Sequence, residues 1–447
     1  MVSMSEKMAK GVDFSAFSKA TDLHKRLWFT LLAIIVFRFG TYIPFPGLDP
    51  NVLNQFFTEN QGGLIGMFNA FTGGALSRMS IFALNIMPYI SASIIIQLAA
   101  SIFPSLIALK KEGEVGFRKM QQYTRTLTIV ITVFQAYFMA LALEKGNAVI
   151  MSNLHLFELS TVVSLLGGTM FVVWLGEQMT ARGVGNGTSI LIMVGIVANI
   201  PMALMRVLED SHAGALSGMT VVGIAAMIFV VIYFVVLFET AQRRIVIQYP
   251  KHQMGGRVVQ GVSSHLPLKI NPTGVMPPIF ASALLAIPVG LAQYFSKTLD
   301  SGWWGDFWNR TALLLTSGQW LYILVFAALI IFFTFFYTGI QSNPKETADM
   351  LKRQGGFVAG IRPGENTAKY LDYVITRLTV LAALYLAILC ILPEALIAYC
   401  KVPFFLGGTT LLIVVSVILD TVSQAQSHLL AYQYEGLIKK AKLRGRF

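Results

Sequence analysis

The sequence predicts an all-α integral membrane protein of ten transmembrane helices. Three observations carry that expectation. Hydrophobic residues make up 55% of the 447-residue chain and charged residues only 13%, against roughly 25% charged in an ordinary soluble domain. Ten separate segments are long and apolar enough to cross the bilayer, which takes about 20 helical residues for roughly 30 Å of hydrocarbon. The cations gather in alternate connections between those segments. A mean hydropathy of +0.65 leaves too little polar surface for a soluble globule. This excludes a disordered chain, a disulfide-stapled secreted scaffold and a cytosolic enzyme.

The spans run over 27–45, 80–103, 126–143, 156–176, 188–208, 219–238, 274–295, 319–340, 374–393 and 404–422. Backbone groups in lipid must satisfy one another, so these are helices. The short alternating segments of a barrel are absent. The first run, Leu27 to Phe45, is too long for a signal peptide and ends in Tyr42-Ile43-Pro44-Phe45-Pro46-Gly47. That is no small-residue cleavage site, so the run is expected to be retained.

Orientation follows from Lys and Arg. One set of connections holds 25 of the 34, beginning with Lys7, Lys10, Lys19, Lys25 and Arg26 in the N-terminal tail and ending with five from Lys439 onward. The opposite set holds six: Arg78, Lys145, Arg206, Lys297, Arg310 and Lys401. Arg38, Arg125 and Arg377 lie within spans or at their edges. The positive-inside bias places both termini in the cytoplasm. Five spans precede Glu209-Asp210-Ser211-His212 and five follow. An odd number per half means that 209–447 enters the membrane from the side opposite to 1–208, the arithmetic of an inverted repeat. No residue-level self-similarity accompanies it; the two pseudo-symmetric five-helix halves are a structural expectation.

Chemistry is conspicuous by what is missing. There is no G-x-x-x-x-G-K-[ST] and no H-E-x-x-H, and the six histidines are scattered. Cys390 and Cys400 stand ten residues apart at the end of one apolar segment, the pattern of inert thiols and not of a metal or redox pair. No catalytic residue, metal ligand or cofactor is expected. Glu177, Glu239 and Asp420 fall at or near cytoplasmic ends of spans, whereas ion-coupled transport places ionisable groups in mid-span. Composition and topology alone still favour a small-solute secondary transporter, although its midplane ligands are lacking.

Two regions stand out. The connection 62–77 is apolar yet interrupted by glycine and too short to span. It reads either as an amphipathic helix on the outer surface or as a re-entrant segment buried in protein. The cytoplasmic loops 239–271 and 341–371 are long and basic. Loops beyond what a helix connection needs tend to be functional, although plain positive-inside bias accounts for the charge equally well. Arg362-Pro363-Gly364 forms a rigid turn that presents a cation to an acidic surface or an RNA backbone.

From Gly73-Gly74-Ala75-Leu76-Ser77-Arg78 and Met87-Pro88-Tyr89-Ile90-Ser91-Ala92-Ser93 onward, the chain resembles the bacterial SecY family. That family supplies the channel subunit of the protein-secretion translocon. The resemblance continues through Trp174-Leu175-Gly176-Glu177-Gln178, Arg182-Gly183-Val184-Gly185-Asn186-Gly187, Gln242-Arg243-Arg244-Ile245 and His265-Leu266-Pro267-Leu268-Lys269. It resumes at Asn343-Pro344-Lys345-Glu346-Thr347-Ala348-Asp349, Gly360-Ile361-Arg362-Pro363-Gly364-Glu365, Lys401-Val402-Pro403-Phe404 and Gly407-Gly408-Thr409. Only the first twenty residues and the loops near 145–155 and 297–316 stand outside it.

The resemblance implies a clamshell of two five-helix halves around an hourglass pore that conducts unfolded, signal-bearing polypeptides and releases hydrophobic spans into lipid. It implies a pore ring of Ile86, Ile90, Ile192, Ile279 and Ile413, with a hydroxyl at Thr188 where relatives often carry another aliphatic. A polypeptide in transit presents every kind of side chain. An apolar ring offers none of them a fixed site, and it resists wetting when empty. The segment 62–75 matches the family's plug, with Gly62, Ile65, Met67, Phe68, Asn69, Phe71, Gly73 and Gly74 as its residues, which favours the re-entrant reading. A lateral gate is implied between the second and seventh spans, with Pro88, Ser91, Gln97, Pro277 and Pro278; the prolines are expected to kink those helices. Docking of the SecA motor and the ribosome falls to Arg243, Arg244, Lys251, Arg257 and Arg362. The implied partners are the small membrane subunits SecE and SecG, with SecDF and YidC as accessories, in the bacterial inner membrane. The chain itself is not expected to be an enzyme: the driving ATPase or GTPase activity belongs to partners such as the motor or the ribosome.

Overall fold

The computed structural model describes residues 21–48, 72–145, 149, 153–213, 218–249, 252–254, 257–259, 263–298, 303–315, 319–400 and 408–444. In chain order the helices are α1 (Thr21–Gly40), α2 (Met87–Ile102), α3 (Pro104–Lys111), α4 (Glu114–Lys145), α5 (Leu154–Arg182), α6 (Gly187–His212) and α7 (Gly218–Thr240). Four strands follow: β1 (Gln242–Gln248), β2 (His252–Met254), β3 (Arg257–Val259) and β4 (Ser263–Lys269). The remainder is α8 (Met276–Thr298), α9 (Trp303–Leu314), α10 (Trp320–Gln341), α11 (Pro344–Arg353), β5 (Phe357–Val358), α12 (Glu365–Cys400) and α13 (Gly408–Arg444).

Each of the ten expected spans falls on a helix: α1, α2, α4, α5, α6, α7, α8, α10, α12 and α13 in turn. By length and apolarity alone, seven helices among the described residues qualify as spans, or eight with α2 and α3 taken as one bent by 98°. α1 carries Asp22, Lys25, Arg26 and Arg38, and α8 supplies only a short apolar stretch, Met276–Leu285.

Two expectations change. The second span does not begin at residue 80, because 80–86 is a chain of turns and the helix starts at Met87. Pro88, Pro277 and Pro278 also do not kink their helices. The first helical bonds run from the Ile90 amide to the Ile86 carbonyl and from Ile279 to Val275, so all three prolines sit in first turns. There the missing N–H has no helical acceptor to lose, and proline starts a helix without bending it. Prolines inside helices include Pro201 in α6 and Pro288 in α8.

The chain forms two compact units, one of Met1–Ile96, Ala108–Pro201 and Val417–Phe447, the other of Gln97–Ile107 and Met202–Ser416. In the first unit, the turns before α2 thread the interior. Leu76, Met79, Ala83 and Leu84 pack with Ala136, Ala140 and Leu143 of α4 and Phe157 and Leu165 of α5. Ladder-like bonds hold this segment to the end of α1: the Phe45 amide donates to the Met79 carbonyl at 3.1 Å and the Ile81 amide to the Ile43 carbonyl at 3.0 Å. Phe37, Phe82 and Phe171 stack in sequence, with centroids 6.0 and 5.8 Å apart. Along α4, Thr124, Thr128 and Thr132 are buried. Each hydroxyl donates to the carbonyl four residues back, at 2.7–3.0 Å, so this stripe of small polar residues satisfies itself and lets helices approach.

In the second unit α10 packs on α8 and α12, with Tyr322, Phe326, Ile330, Phe333, Thr334 and Thr338 of α10 buried. Phe238 of α7 stacks on Tyr385 of α12 at 4.4 Å.

One close approach makes a sharp test. A Cβ at Gly168 of α5 would run into the Ile81 carbonyl, whereas one at Gly167 meets nothing within 4 Å. Gly168→Ala should therefore destabilise the protein by about 1–3 kcal/mol through overpacking, and Gly167→Ala should be neutral or slightly stabilising. Unfolding midpoints in mild detergent distinguish the two; equal midpoints would mean that the 80–86 segment yields freely.

Candidate functional site

The two basic loops are one folded platform. β1 and β4 pair antiparallel, with Arg243 opposite Leu268 and Ile247 opposite Ser264. β5, from the other loop, pairs with the far end of β1 through Ile247↔Val358 and Gln248↔Phe357, giving the order β4-β1-β5. This small sheet is an accessory to the helical architecture, and alternation along β1 shows why it forms. Ile245 and Ile247 point inward and are buried, as period-2 patterning requires. Ile245 and Val358 share a core with Ala348 of α11 and Ala368, Leu371, Val374 and Leu378 of α12, sealed by Leu266, Leu268, Ile270, Ile361 and Tyr370.

Charges ring this core. Arg243 and Arg244 are both exposed on β1. Arg257 lies in β3, opposite Met254 of β2; its side-chain placement, like Lys251 as a whole, lies outside the described residues. Arg362 is exposed on a turn flanked by Gly360 and Gly364, whose φ angles of 81° and 105° suit glycine alone. That turn is held at both ends: the Ile361 amide donates to the Val358 carbonyl at 3.1 Å, and the Thr367 hydroxyl donates to the Arg362 carbonyl at 2.9 Å. Asn343 caps α11 by accepting from the Glu346 amide, with Pro344 at the first turn. The guanidinium of Arg362 thus projects from a fixed backbone.

The platform is tied to α8 by a buried amide. Asn271 donates to a Glu239 carboxylate oxygen at 2.7 Å and to the Gly274 carbonyl at 3.0 Å, while the Thr273 hydroxyl donates to the Asn271 side-chain oxygen at 2.9 Å. The end of α7, the base of the hairpin and the start of α8 are therefore joined at one residue.

In the first unit, Gly73 and Gly74 turn the chain with φ angles of 71° and 78°. A Cβ at Gly73 would lie 3.0 Å from the backbone of Gly195 in α6, so glycine serves both conformation and approach. Arg38 donates to the Gly73 carbonyl at 3.1 Å, and the Tyr42 ring lies under both Arg38 and Arg78, at 5.2 and 4.2 Å. The remaining residues expected in the plug, Gly62, Ile65, Met67, Phe68, Asn69 and Phe71, lie outside the described residues. Ile86 and Ile192 are buried and Ile90 is half-buried. Ser91 donates to the Met87 carbonyl at 3.2 Å, and Gln97 is half-buried in the last turns of α2. Thr188 is drawn into the cap of α6, where its hydroxyl donates to the Asn186 side chain at 2.7 Å. In the second unit, Ile279 and Ile413 are buried, and Pro277 and Pro278 open α8.

A family model described as SecY matches residues 80–422. The protein translocase subunit SecY of Vibrio cholerae is 50% identical over 440 residues, covering 97% of this chain and 98% of that protein. Its counterpart in Escherichia coli K12 is 49% identical over 444 residues, covering 98% and 99%. The chain belongs to the SecY family. Solved structures share the fold at lower identity. A protein-conducting channel aligns with a TM-score of 0.63 at 16% identity, over 91% of this chain and 92% of the other. Sec61 from a canine ribosome–channel complex aligns with a TM-score of 0.60 at 15% identity over the same shares.

This member of the SecY family is a multi-pass membrane protein, and several residues that position its elements escape sequence reading. Asn271 had a visible signal, since Asn-Pro-Thr-Gly is turn chemistry, but its partner Glu239 is 32 residues away. Arg38 shows in the sequence only as a charge at the edge of a span. Arg125 likewise reads as an edge charge, yet it forms a two-point ion pair with Glu177 across α4 and α5, at 2.8 and 2.6 Å.

The Asn271 tie generates a prediction. Asn271→Ala strands a carboxylate oxygen and a carbonyl at a cost of about 1–3 kcal/mol. Amide exchange should rise in β4 and the first turn of α8 and stay unchanged in the middle of α10. A uniform rise would mean that the residue is no local tie.

Proposed function

We propose that this chain is the central channel of a bacterial protein translocase, passing unfolded, signal-bearing polypeptides across the membrane and releasing hydrophobic spans sideways into lipid. The identity shared with translocase subunits along almost the whole chain carries that reading. The halves 1–208 and 209–447 act as the two sides of the clamshell. Ile86, Ile90, Ile192, Ile279 and Ile413 form an apolar constriction, sealed at rest by the plug at 62–75, which leaves through its Gly73-Gly74 hinge. Spans two and seven, α2 and α8, part to form the lateral gate, with Pro88, Ser91, Gln97, Pro277 and Pro278 along its edges.

Directional work comes from partners, since the chain carries no phosphate-binding loop of the P-loop kind. The platform that β1, β4 and β5 build is the landing place for the SecA motor or a translating ribosome, through Arg243, Arg244, Lys251, Arg257 and Arg362. SecE and SecG complete the membrane complex, and SecDF and YidC assist it. The complex resides in the inner membrane with both of this chain's termini in the cytoplasm. Reporter fusions after Glu209 or Lys401 should accordingly read exofacial, and fusions after Lys251 or Lys439 cytoplasmic; a cytoplasmic signal after Glu209 would remove the inverted halves.

The docking role is tested by charge reversal. Arg362 stands on the rigid turn, whereas Arg353 is exposed at the end of α11 on the same loop. Arg362→Glu should lower ATP-driven precursor import into reconstituted vesicles by more than about tenfold, equivalent to roughly 1.4 kcal/mol of lost partner binding. Arg353→Glu should change it little, and neither should alter insertion or abundance. Equal impairment would mean that the loop works through bulk charge.

A further inference from the structure

The segment joining α8 to α10 contains a helix with more apolar surface than its packing uses. α9 reads Trp-Trp-Gly-Asp-Phe-Trp-Asn-Arg-Thr-Ala-Leu-Leu. It packs on α8 and touches α10 more lightly. Gly305 is buried, and Trp308 and Ala312 are half-buried; spaced by three and four, they form one stripe and mark the packed face. A second apolar face is turned away from it. Trp303 is 76% exposed, Phe307 50% and Leu314 41%, and helical spacing brings the three together. Arg310 is exposed within that face, where its long stem can lie along apolar surface with the charge at the water side; Asp306 and Asn309 are exposed along one flank, with the exposed Leu313 between them.

Three facts say what covers that face. Only residues 299–302 separate α8 from α9 and only 315–319 separate α9 from α10. Extended chain covers at most about 3.5 Å per residue, so α9 stays within roughly 20 Å of the ends of two membrane spans. The exposed apolar surface also continues onto α10, where Trp320 is 66% exposed and Leu324 follows it one turn later, also exposed. And tryptophan at the ends of spans favours the membrane–water boundary, where an apolar ring with one polar N–H is best accommodated.

We propose that α9 lies in the bilayer interface on the side opposite the basic platform, with Trp303, Phe307 and Leu314 seated among lipid headgroups and upper acyl chains. Asp306 and Arg310 cancel in charge, so the attraction is apolar and aromatic and does not depend on anionic lipid. The helix thereby sets the depth of the α8–α10 connection in the membrane. The inference requires only that the chain span a bilayer, so it stands or falls separately from the docking role of the platform.

The test uses the full chain with its co-purifying subunits, reconstituted in phosphatidylcholine vesicles with and without phosphatidylglycerol. In a Cys390→Ser, Cys400→Ser background, a nitroxide is placed singly at 303, 307, 314, 306 or 309. Collision rates with oxygen, which partitions into lipid, are compared with those of a water-soluble nickel chelate. Oxygen should dominate at 303, 307 and 314, at a depth of about 5–10 Å, and the chelate at 306 and 309, alike in both lipids. Chelate access at 307 equal to that at 309 would place the face in water and overturn the proposal. Shielding of 307 from both reagents would overturn it in favour of a protein partner. As a check without labels, Trp303→Phe in the otherwise unaltered chain should reduce fluorescence quenching by lipid brominated near the headgroup; unchanged quenching would also count against it.

Discussion

Every non-helical stretch at membrane depth needs a partner for its backbone, because hydrocarbon provides none. The turns at 72–86 meet that constraint by burial: they lie between α4 and α5 and bond to the chain that follows α1. Met79 and Asn85 take positive φ there, a conformation that side-chain-bearing residues adopt at a cost. Surrounding packing, including the Ile81 backbone pressed against Gly168, holds them in it. The same requirement explains why buried threonine hydroxyls in α4 and α10 donate to carbonyls of their own helices. A polar group that satisfies itself adds no demand on its neighbours.

Outside the membrane the constraint relaxes and a different architecture takes over. The platform has a sheet, a short capped helix and a hydrophobic core of its own, and its cations decorate the rim. A basic surface on such a core differs physically from two flexible basic loops. The entropy of ordering the arginine-bearing backbone is met during folding. Asn271 then connects the end of α7, through Glu239, to the turn that leads into α8, through Gly274 and Thr273.

Prolines show how local chemistry depends on position. Read along the sequence, Pro88 and the Pro277-Pro278 pair fall inside apolar runs and suggest kinks. The helices begin just before them, and a missing N–H is harmless in a first turn. Interior positions are taken by other prolines, among them Pro201 and Pro288.

The sequence by itself determined the helical membrane architecture, the position of ten helices and the family, because apolar run length and collinear motifs are one-dimensional properties. Helix ends were less legible. The second span lost its first seven residues to turns because turn bonds and bonds to Ile43 and Phe45 satisfy a backbone that hydropathy alone assigns to a helix. Site residues divided along the same line. Arg243, Arg244 and Arg362 were visible as charges in long loops, whereas their union was not, since β1 and β5 are separated by more than a hundred residues. Only the tertiary structure decided that pairing, and with it the Asn271–Glu239 tie and the Arg38–Gly73 contact. Each is a hydrogen bond between residues whose proximity arises from packing, and packing is not written in any window of the chain short enough to read locally.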